Sequence, residues 1–295
     1  MNPNRRQFLK TAGLGVGTLG FLRPVTWAAT EAAPQFSRES SMHLGLVTYE
    51  LAKDWDVPTI IRNCAAARFK GVELRTTHKH GVEVTLDPAQ RAEVRKRFAD
   101  SPVQLMGLGS TFDYHTPDQA KLRRDIEATK QYILLARAVG ASGVKVRPNG
   151  LPKGVPPGQT LEQIGRSLHE VGEFGAQHGI QIRLEVHGPG TSLLPNIRRI
   201  LDVADHPNVG ACWNTNATDL AGDGFDHNFD LVKDKIFSVH LHDLFDEHYP
   251  FRRLFVRLKE SGFHGFTLAE IPQSTDPLRV MRYFRALWLA YQDLM

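Results

Sequence analysis

Short apolar runs alternate with helical patterns along most of the chain. Each run is five to seven residues long, and the runs begin 27 to 40 residues apart, the spacing of one strand–helix unit. The eight runs are His43–Thr48, Gly71–Arg75, Val103–Gly109, Gly143–Arg147, Ile180–Val186, Val209–Trp213, Ile236–Leu241 and Gly265–Ile271. Eight such units without a change in composition predict an α/β fold, a single-domain (β/α)8 TIM barrel over residues 42–295. A doubly wound open sheet is the alternative, but it would show fewer strands and a glycine-rich phosphate turn.

Glycines stand at or just before several of the predicted strands, namely Gly71, Gly143, Gly179 and Gly265. Glycine suits the sharp turn between a helix and the next strand because it tolerates positive φ. These four residues are therefore predicted to lie in αβ turns.

The N-terminal segment has the pattern of an export signal. Arg5 and Arg6 precede Phe8-Leu9-Lys10, a weakly apolar glycine-rich stretch follows over Thr11–Leu22, and small residues stand at positions 28 and 29. Four glycines and Pro24 disfavour a helix of the mature protein, and the stretch is too short for a membrane span. We predict a twin-arginine signal peptide over residues 1–28 and a linker over residues 29–41. The protein is then exported to the periplasm by the twin-arginine machinery.

The charge and the two cysteines bear on possible partners and on a possible disulfide. Residues 1–28 hold four of the 36 basic residues and no acidic one, so the mature chain has 32 basic and 32 acidic residues. A neutral protein has no global attraction to nucleic acid, and no nucleic-acid partner is expected. Cys64 and Cys212 fall in a predicted helix and a predicted core strand, which favours two buried free thiols over a disulfide.

The carboxyl ends of the last four predicted strands carry potential metal ligands. In a barrel these ends form the functional mouth, and neighbouring strands lie ~4.8 Å apart, so their side chains can converge. The residues are Glu185, Asn214, His240 and Glu270. Two carboxylates, an amide oxygen and an imidazole suit a divalent ion, Mn²⁺ first, with Co²⁺, Mg²⁺ or Zn²⁺ as alternatives. Each residue taken alone could equally be a hydrogen-bonded strand end.

Ten further polar residues follow the predicted strands on the same side and are candidates for substrate binding. They are Glu73, Arg75, His80, Ser110, His115, Lys145, Arg147, His187, Asn216 and His242. The group after strand 2 could also be an ordinary polar loop. Lys145 and Arg147 alternate with valines, which places them inside the barrel, where a buried ion pair with Glu73 or Glu185 is the alternative to substrate binding. The Pro- and Gly-rich stretch Pro148–Gln159 is predicted to be a semi-rigid rim or lid, or else an idle loop.

Three strand sequences resemble one known family. Ile182–His187 reads IRLEVH, Val239–Asp243 reads VHLHD, and Phe266–Glu270 reads FTLAE. Together they resemble the xylose isomerase-like TIM-barrel family of sugar isomerases, epimerases, dehydratases and an apurinic-site endonuclease branch. The resemblance spans residues 42–295. It implies a divalent ion held by Glu185, position 214, His240 and Glu270, with Glu185 and Glu270 as the acid/base pair of the epimerase branch.

The chain departs from the family at strand 6. The usual Asp-Thr-x-His is replaced by Asn214-Thr215-Asn216-Ala217, which removes one negative ligand and one histidine that contacts substrate. An amide oxygen can still bind the ion, with one negative charge fewer among the ligands.

The expected function is that of a metal-dependent sugar isomerase or epimerase that abstracts a proton next to a carbonyl. A lyase acting by β-elimination on keto-glycosides shares this first step and is one alternative. A non-catalytic exported sugar-binding protein is another, and Asn214 is its best support. Endonuclease action is disfavoured by the neutral charge, the missing histidine and export. The resemblance also implies that the protein could form a homo-oligomer.

Overall fold

The computed structural model describes residues 39–295, and the predicted signal peptide and most of the linker lie outside these residues. Eight parallel strands close into a barrel in sequence order, with β8 paired to β1. The strands are β1 (His43–Val47), β2 (Gly71–Arg75), β3 (Gln104–Asp113), β4 (Gly143–Arg147), β5 (Gln181–Glu185), β6 (Val209–Asn214), β7 (Ile236–Leu241) and β8 (Phe266–Ala269). The predicted single-domain (β/α)8 barrel is confirmed.

One α-helix follows each strand and packs on the outside of the barrel. The helices are α1 (Val57–Ala66), α2 (Pro88–Ala99), α3 (Gln119–Val139), α4 (Pro157–His178), α5 (Leu194–Ala204), α6 (Phe225–Val232), α7 (Phe251–Glu260) and α8 (Pro277–Ala290). Proline in the first turn of α1, α2, α4, α5 and α8 starts these helices without losing a hydrogen bond. Within the described chain, no helix is long and apolar enough to cross a membrane.

The apolar core lies mainly between the strands and the ring of helices. Trp213 and both cysteines belong to the buried interior, and Cys64 and Cys212 are free thiols, as predicted. A second, small apolar cluster of Val47, Met106 and Leu268 fills the inside of the barrel. Polar side chains occupy the rest of the barrel interior, so charged groups are concentrated inside the barrel.

Two of the glycines predicted to form turns instead make room inside the barrel. A Cβ on Gly71 would lie 2.4 Å from the Phe266 ring, and one on Gly143 would lie 2.6 Å from Cζ of Arg183. Neither residue has positive φ. Gly179 does, at φ 69°, and ends α4 as predicted.

Candidate active site

Three side chains from the carboxyl ends of β5, β7 and β8 meet at the barrel mouth. Nδ1 of His240 lies 3.5 Å from Oε1 of Glu185 and 3.4 Å from Oε2 of Glu270. One ligand atom from each of the three residues lies within 4.8 Å of the other two. His240 is fully buried and both glutamates are largely so. All three residues were predicted from the sequence, and the closed barrel brings them together.

Asn214 joins this group through the register of the sheet. It is the partner of His240 across the β6–β7 pair, so the two side chains point to the same side of the sheet. Asn214 is buried, and its Oδ1 has no hydrogen-bond partner. A buried carbonyl oxygen without a partner is costly, and binding a cation would satisfy it. This orphaned oxygen beside two carboxylates and an imidazole fits a divalent metal ion.

Glu73 and Arg183 lie on the far side of His240. Oε1 of Glu73 is 3.4 Å from Nε2 of His240, and the Glu73 side chain is completely buried. A carboxylate there can hold a proton on Nε2 and so leave Nδ1 free to face the other glutamates. The glycines of β3 give Glu73 its space, since a Cβ on Gly109 would lie 2.7 Å from Oε1. In this position Glu73 can orient His240, and its predicted role in substrate binding stays a prediction.

Arg183 is a buried cation that the sequence analysis did not select. Its guanidinium donates to the carbonyl oxygen of Met106, at 2.8 Å, and to the Ser142 hydroxyl, at 3.0 Å. Burial lowers the pKa of Arg183, and the charge of Glu73 opposes that shift. The alternation of Arg183 with Glu185 along β5 is the signal that could have identified it as an inward-facing residue.

Lys145 is the buried cation nearest to Glu185. Its Nζ lies 2.6 Å from Oε2 of Glu185, and both side chains are almost entirely buried. Lys145 therefore points into the barrel as predicted, and it forms one of the two ion pairs that the sequence analysis weighed. The pair leaves Oε1 of Glu185 facing His240.

The surroundings keep both glutamates ionised. Burial alone would raise the pKa of Glu185, but Lys145 and His240 lower it to about 2. Burial also opposes ionisation of Glu270, and His240 with His242 holds its pKa well below the usual value. Burial would lower the pKa of His240, but its interactions with Cys212, Glu73 and Glu270 raise it well above normal. Both carboxylates are therefore held in the anionic form, the form that can bind a cation.

Two more histidines line the mouth. Nε2 of His242 lies 3.5 Å from Oε2 of Glu270, and this interaction raises the pKa of His242. His187 is half-buried, and its Nδ1 contacts Oδ1 of Asn149 at 3.1 Å. Burial lowers the pKa of His187. Both histidines lie beside the glutamates and can contact a bound molecule.

Three residues expected to bind substrate are engaged in the protein's own hydrogen bonds. His80 uses Nε2 on the carbonyl of Arg75 and Nδ1 on the amide of Val82, which leaves no ring nitrogen for a substrate. The Ser110 hydroxyl donates to the carbonyl of Lys145 at 2.6 Å. Asn216 donates its amide to the carbonyl of Val186 at 2.7 Å. These contacts engage the three side chains within the protein, and their role in substrate binding stays a prediction.

The remaining candidates lie further around the mouth. Arg75 stacks over the Tyr49 ring at 5.6 Å and contacts Nε2 of His78 at 3.2 Å. His115 pairs with Asp113 at 3.0 Å. Arg147 is half-buried and its Nη2 donates to the carbonyl of Thr111 at 3.4 Å. None of these contacts links them directly to the glutamate–histidine group.

A family comparison fits this arrangement. A family model described as xylose isomerase-like TIM barrel matches residues 61–287. The chain belongs to this family. The match includes all four of the residues proposed to bind metal. A search of curated proteins finds no significant relative.

Solved structures with the same fold include sugar epimerases. L-ribulose 3-epimerase superposes with a TM-score of 0.73 at 17% identity, covering 86% of this chain and 95% of that one. The E. coli 3-keto-D-glucoside 4-epimerase gives 0.71 at 15% identity, covering 84% and 99%. The IolI protein, solved with a zinc atom bound, gives 0.70 at 16% identity, covering 86% and 98%. At these identities the likeness establishes the fold.

Proposed function

We propose that this family member is a metal-dependent sugar isomerase or epimerase. The observation that carries the proposal is the pair of buried, ionised glutamates, Glu185 and Glu270, which contact the same nitrogen of His240. Two carboxylates at one point can take a proton from a carbon and return it from another direction. The names of the structural neighbours, two of them epimerases and one with bound zinc, support the same chemistry.

Glu185, Asn214, His240 and Glu270 would hold the metal ion. Bound there, a divalent ion would supply Lewis-acid polarisation of a substrate carbonyl, which lowers the cost of removing the neighbouring proton. Mn²⁺ remains our first candidate, because three oxygen donors and one nitrogen suit it, and Co²⁺, Mg²⁺ and Zn²⁺ are alternatives.

The other buried charges orient the two glutamates. Lys145 fixes Oε2 of Glu185 through a 2.6 Å contact, so the remaining oxygen is directed toward His240. His242 contacts Glu270 from the solvent side. Buried ion pairs of this kind hold carboxylates in one geometry before the substrate arrives. Substrate hydroxyls would then bind at the mouth near His187 and His242.

Two alternatives share parts of this site. A lyase that eliminates a β-substituent from a keto-glycoside begins with the same proton removal. A non-catalytic sugar-binding protein is favoured by one residue, since Asn214 supplies one negative charge fewer than the aspartate of the family pattern. In each case the partner is a small carbohydrate. We further propose export to the periplasm, on the strength of Arg5-Arg6 and the segment that follows.

Replacement of each glutamate by its amide tests the proposal. Glu270→Gln and Glu185→Gln keep the side-chain shape but remove the base, so each should reduce exchange of the substrate proton by ~10²–10⁴-fold. The measurement is incorporation of solvent deuterium into a panel of ketoses by the Mn²⁺-loaded protein. Metal content is measured in parallel, and Glu173→Gln, at an exposed helix position, serves as the control.

The results separate the candidate functions. Exchange at the parental rate in both variants, with metal retained, would refute the acid/base roles. Exchange that yields an unsaturated product would favour the lyase. Sugar binding without exchange in the parent protein would favour the non-catalytic binder.

A further inference from the structure

A cavity of about 420 Å³ lies beside the barrel mouth, between the loops that follow β3, β4 and β5. This volume is within the range of small-molecule sites. Its lining includes Asp113, His115, Lys121, Asn149, Pro117 and Pro189. The Pro- and Gly-rich segment after β4 forms one wall, so this segment serves as a rim of the mouth.

The cavity adjoins the candidate active site through one hydrogen-bonded pair. Asn149 is part of the cavity wall, and its Oδ1 lies 3.1 Å from Nδ1 of His187. His187 is two residues beyond Glu185 at the end of β5. A molecule whose reacting carbon lies at Glu185 and Glu270 can therefore extend past His187 into this space.

The charges in the cavity balance one another. Asp113 contacts Nδ1 of His115 at 3.0 Å and Nζ of Lys121 at 3.6 Å. Lys121 is also paired with Asp125 at 2.5 Å. Because its lysine already has two carboxylate partners, the cavity offers no uncompensated positive charge to a phosphate group.

The remaining lining suits an uncharged ring with many hydroxyls. Asn149 also donates to Oδ2 of Asp113 at 3.4 Å, so the second amide hydrogen of Asn149 and Nε2 of His115 are the groups that can exchange hydrogen bonds with hydroxyl groups. The two exposed prolines and Leu151 offer apolar surface to the C–H faces of a ring. Such a mixture of apolar wall and few polar groups is typical of sites that orient a small molecule.

We propose that this cavity binds a second, neutral sugar ring, so that the substrate is a glycoside rather than a free or phosphorylated monosaccharide. The inference rests on the proposed function, because it assumes that the reacting sugar lies at Glu185 and Glu270. The reacting ring occupies the barrel mouth, and the ring attached to it occupies the cavity formed by the three loops.

Deuterium exchange on matched sugars tests the subsite. The probes are D-fructose, fructose 6-phosphate, and three disaccharides that carry a glucose ring on O3, O4 or O6 of fructose, namely turanose, maltulose and palatinose. We expect kcat/KM for at least one disaccharide to exceed that for fructose by about tenfold or more. Pro117, after β3, and Pro189, after β5, are exposed residues of the cavity lining, so Pro117→Trp and Pro189→Trp should each fill the cavity and remove this preference. Gln159→Trp, an exposed position outside the cavity lining, should leave the preference intact.

A disaccharide preference that survives both cavity-filling variants would overturn the proposal, as would equal turnover of fructose or a preference for fructose 6-phosphate. If no sugar exchanges deuterium, the proposed function fails, and saturation-transfer NMR with turanose decides about the subsite separately. Saturation of the glucosyl protons by the parent protein, and its loss in both tryptophan variants, would support the subsite. Equal saturation in all proteins, or none in the parent, would exclude it.

Discussion

Asp219 is a fully buried carboxyl in the loop after β6. The Tyr249 hydroxyl donates to its Oδ2 at 2.6 Å, and the backbone N–H of Asn216 donates to the same oxygen at 3.1 Å. Trp213 in turn donates to the Tyr249 oxygen at 3.0 Å. The network fixes the segment that follows Asn214, so a residue outside the candidate active site helps to position one of the proposed ligands.

Burial of Asp219 makes stability depend on pH. Burial raises its pKa to about 7, although the bonds from Tyr249 and Asn216 oppose the shift. The folded state then keeps a proton that the unfolded chain loses near pH 4. This contribution to the free energy of unfolding is complete below pH 4. It is lost as the pH rises to about 7, and the loss amounts to up to about 4 kcal/mol.

Asp219→Asn should remove this part of the pH dependence. The amide oxygen can still accept from Tyr249, and its NH₂ group replaces Oδ1, which has no partner. We expect the free energy of unfolding of the variant, relative to the parent, to rise between pH 4 and pH 7. Urea unfolding in the presence of a chelator measures it, with the exposed Asp223→Asn as control. Parallel curves for parent and variant would show that Asp219 is ionised in the folded protein.

Asn214 allows a direct test of the metal site. Asn214→Asp restores an anionic oxygen beside Glu185, His240 and Glu270, so Mn²⁺ should bind more tightly. Calorimetric titration measures the affinity, and Glu270→Gln, which lowers the ligand charge, should change it in the opposite direction. Equal affinity of Asn214→Asp and the parent would mean that residue 214 does not bind the ion.

At the scale of elements, α4 and α5 approach closely through glycine. A Cβ on Gly165 of α4 would lie 2.5 Å from Cβ of Val203 and 2.9 Å from the carbonyl oxygen of Ile200. Gly158 of the same helix differs, since the nearest atom to its Cβ would be Nη2 of Arg199 at 4.0 Å. Substitutions at these two glycines therefore distinguish the effect of close helix packing on stability from the effect of helix propensity.

Gly165→Ala should destabilise the protein by about 1–3 kcal/mol, because the added methyl group forces the helices apart. Gly158→Ala adds the same methyl group to open space and should be neutral or stabilising by up to about 1 kcal/mol. Urea unfolding of both variants at equal metal content measures the difference. Equal stability of the two variants would contradict the close approach of α4 and α5.

At the scale of the whole molecule, the candidate site depends on closure of the barrel. β8 pairs with β7, which places Glu270, just after β8, beside His240, and β8 also pairs with β1, which closes the ring and brings β2 round to the same site. Glu73 on β2 reaches the same histidine from the opposite side of the ring. The site is thus assembled from residues spread over almost 200 positions of the chain.

Export also concerns the whole molecule. If residues 1–28 are a twin-arginine signal, the chain folds and acquires its metal before transport. Replacing Arg5 and Arg6 together by lysine should trap the precursor in the cytoplasm. Immunoblots of periplasmic and cytoplasmic fractions measure this, with Arg23→Lys as a control outside the motif. Undiminished export of the double variant would refute the twin-arginine route.

The sequence by itself determined the architecture. Eight apolar runs separated by helical patterns specify eight βα units, because strand and helix periodicity are local properties of the chain. The observed strands fall within or close to the predicted runs; β3 is the exception and continues to Asp113, through an irregularity in its pairing after Gly109. The residues at the strand ends also followed from the pattern, since all parallel strands end on the same side.

Only the tertiary structure decided what each of these residues contacts. Glu73, Lys145 and Arg183 all alternate with apolar residues, yet Glu73 faces His240, Lys145 pairs with Glu185, and Arg183 bonds Met106 and Ser142. These pairings depend on strand register and on space left by glycines in neighbouring strands, and no local pattern contains that information. For the same reason the cavity behind Asn149 could not be predicted, because three loops distant in sequence form its walls.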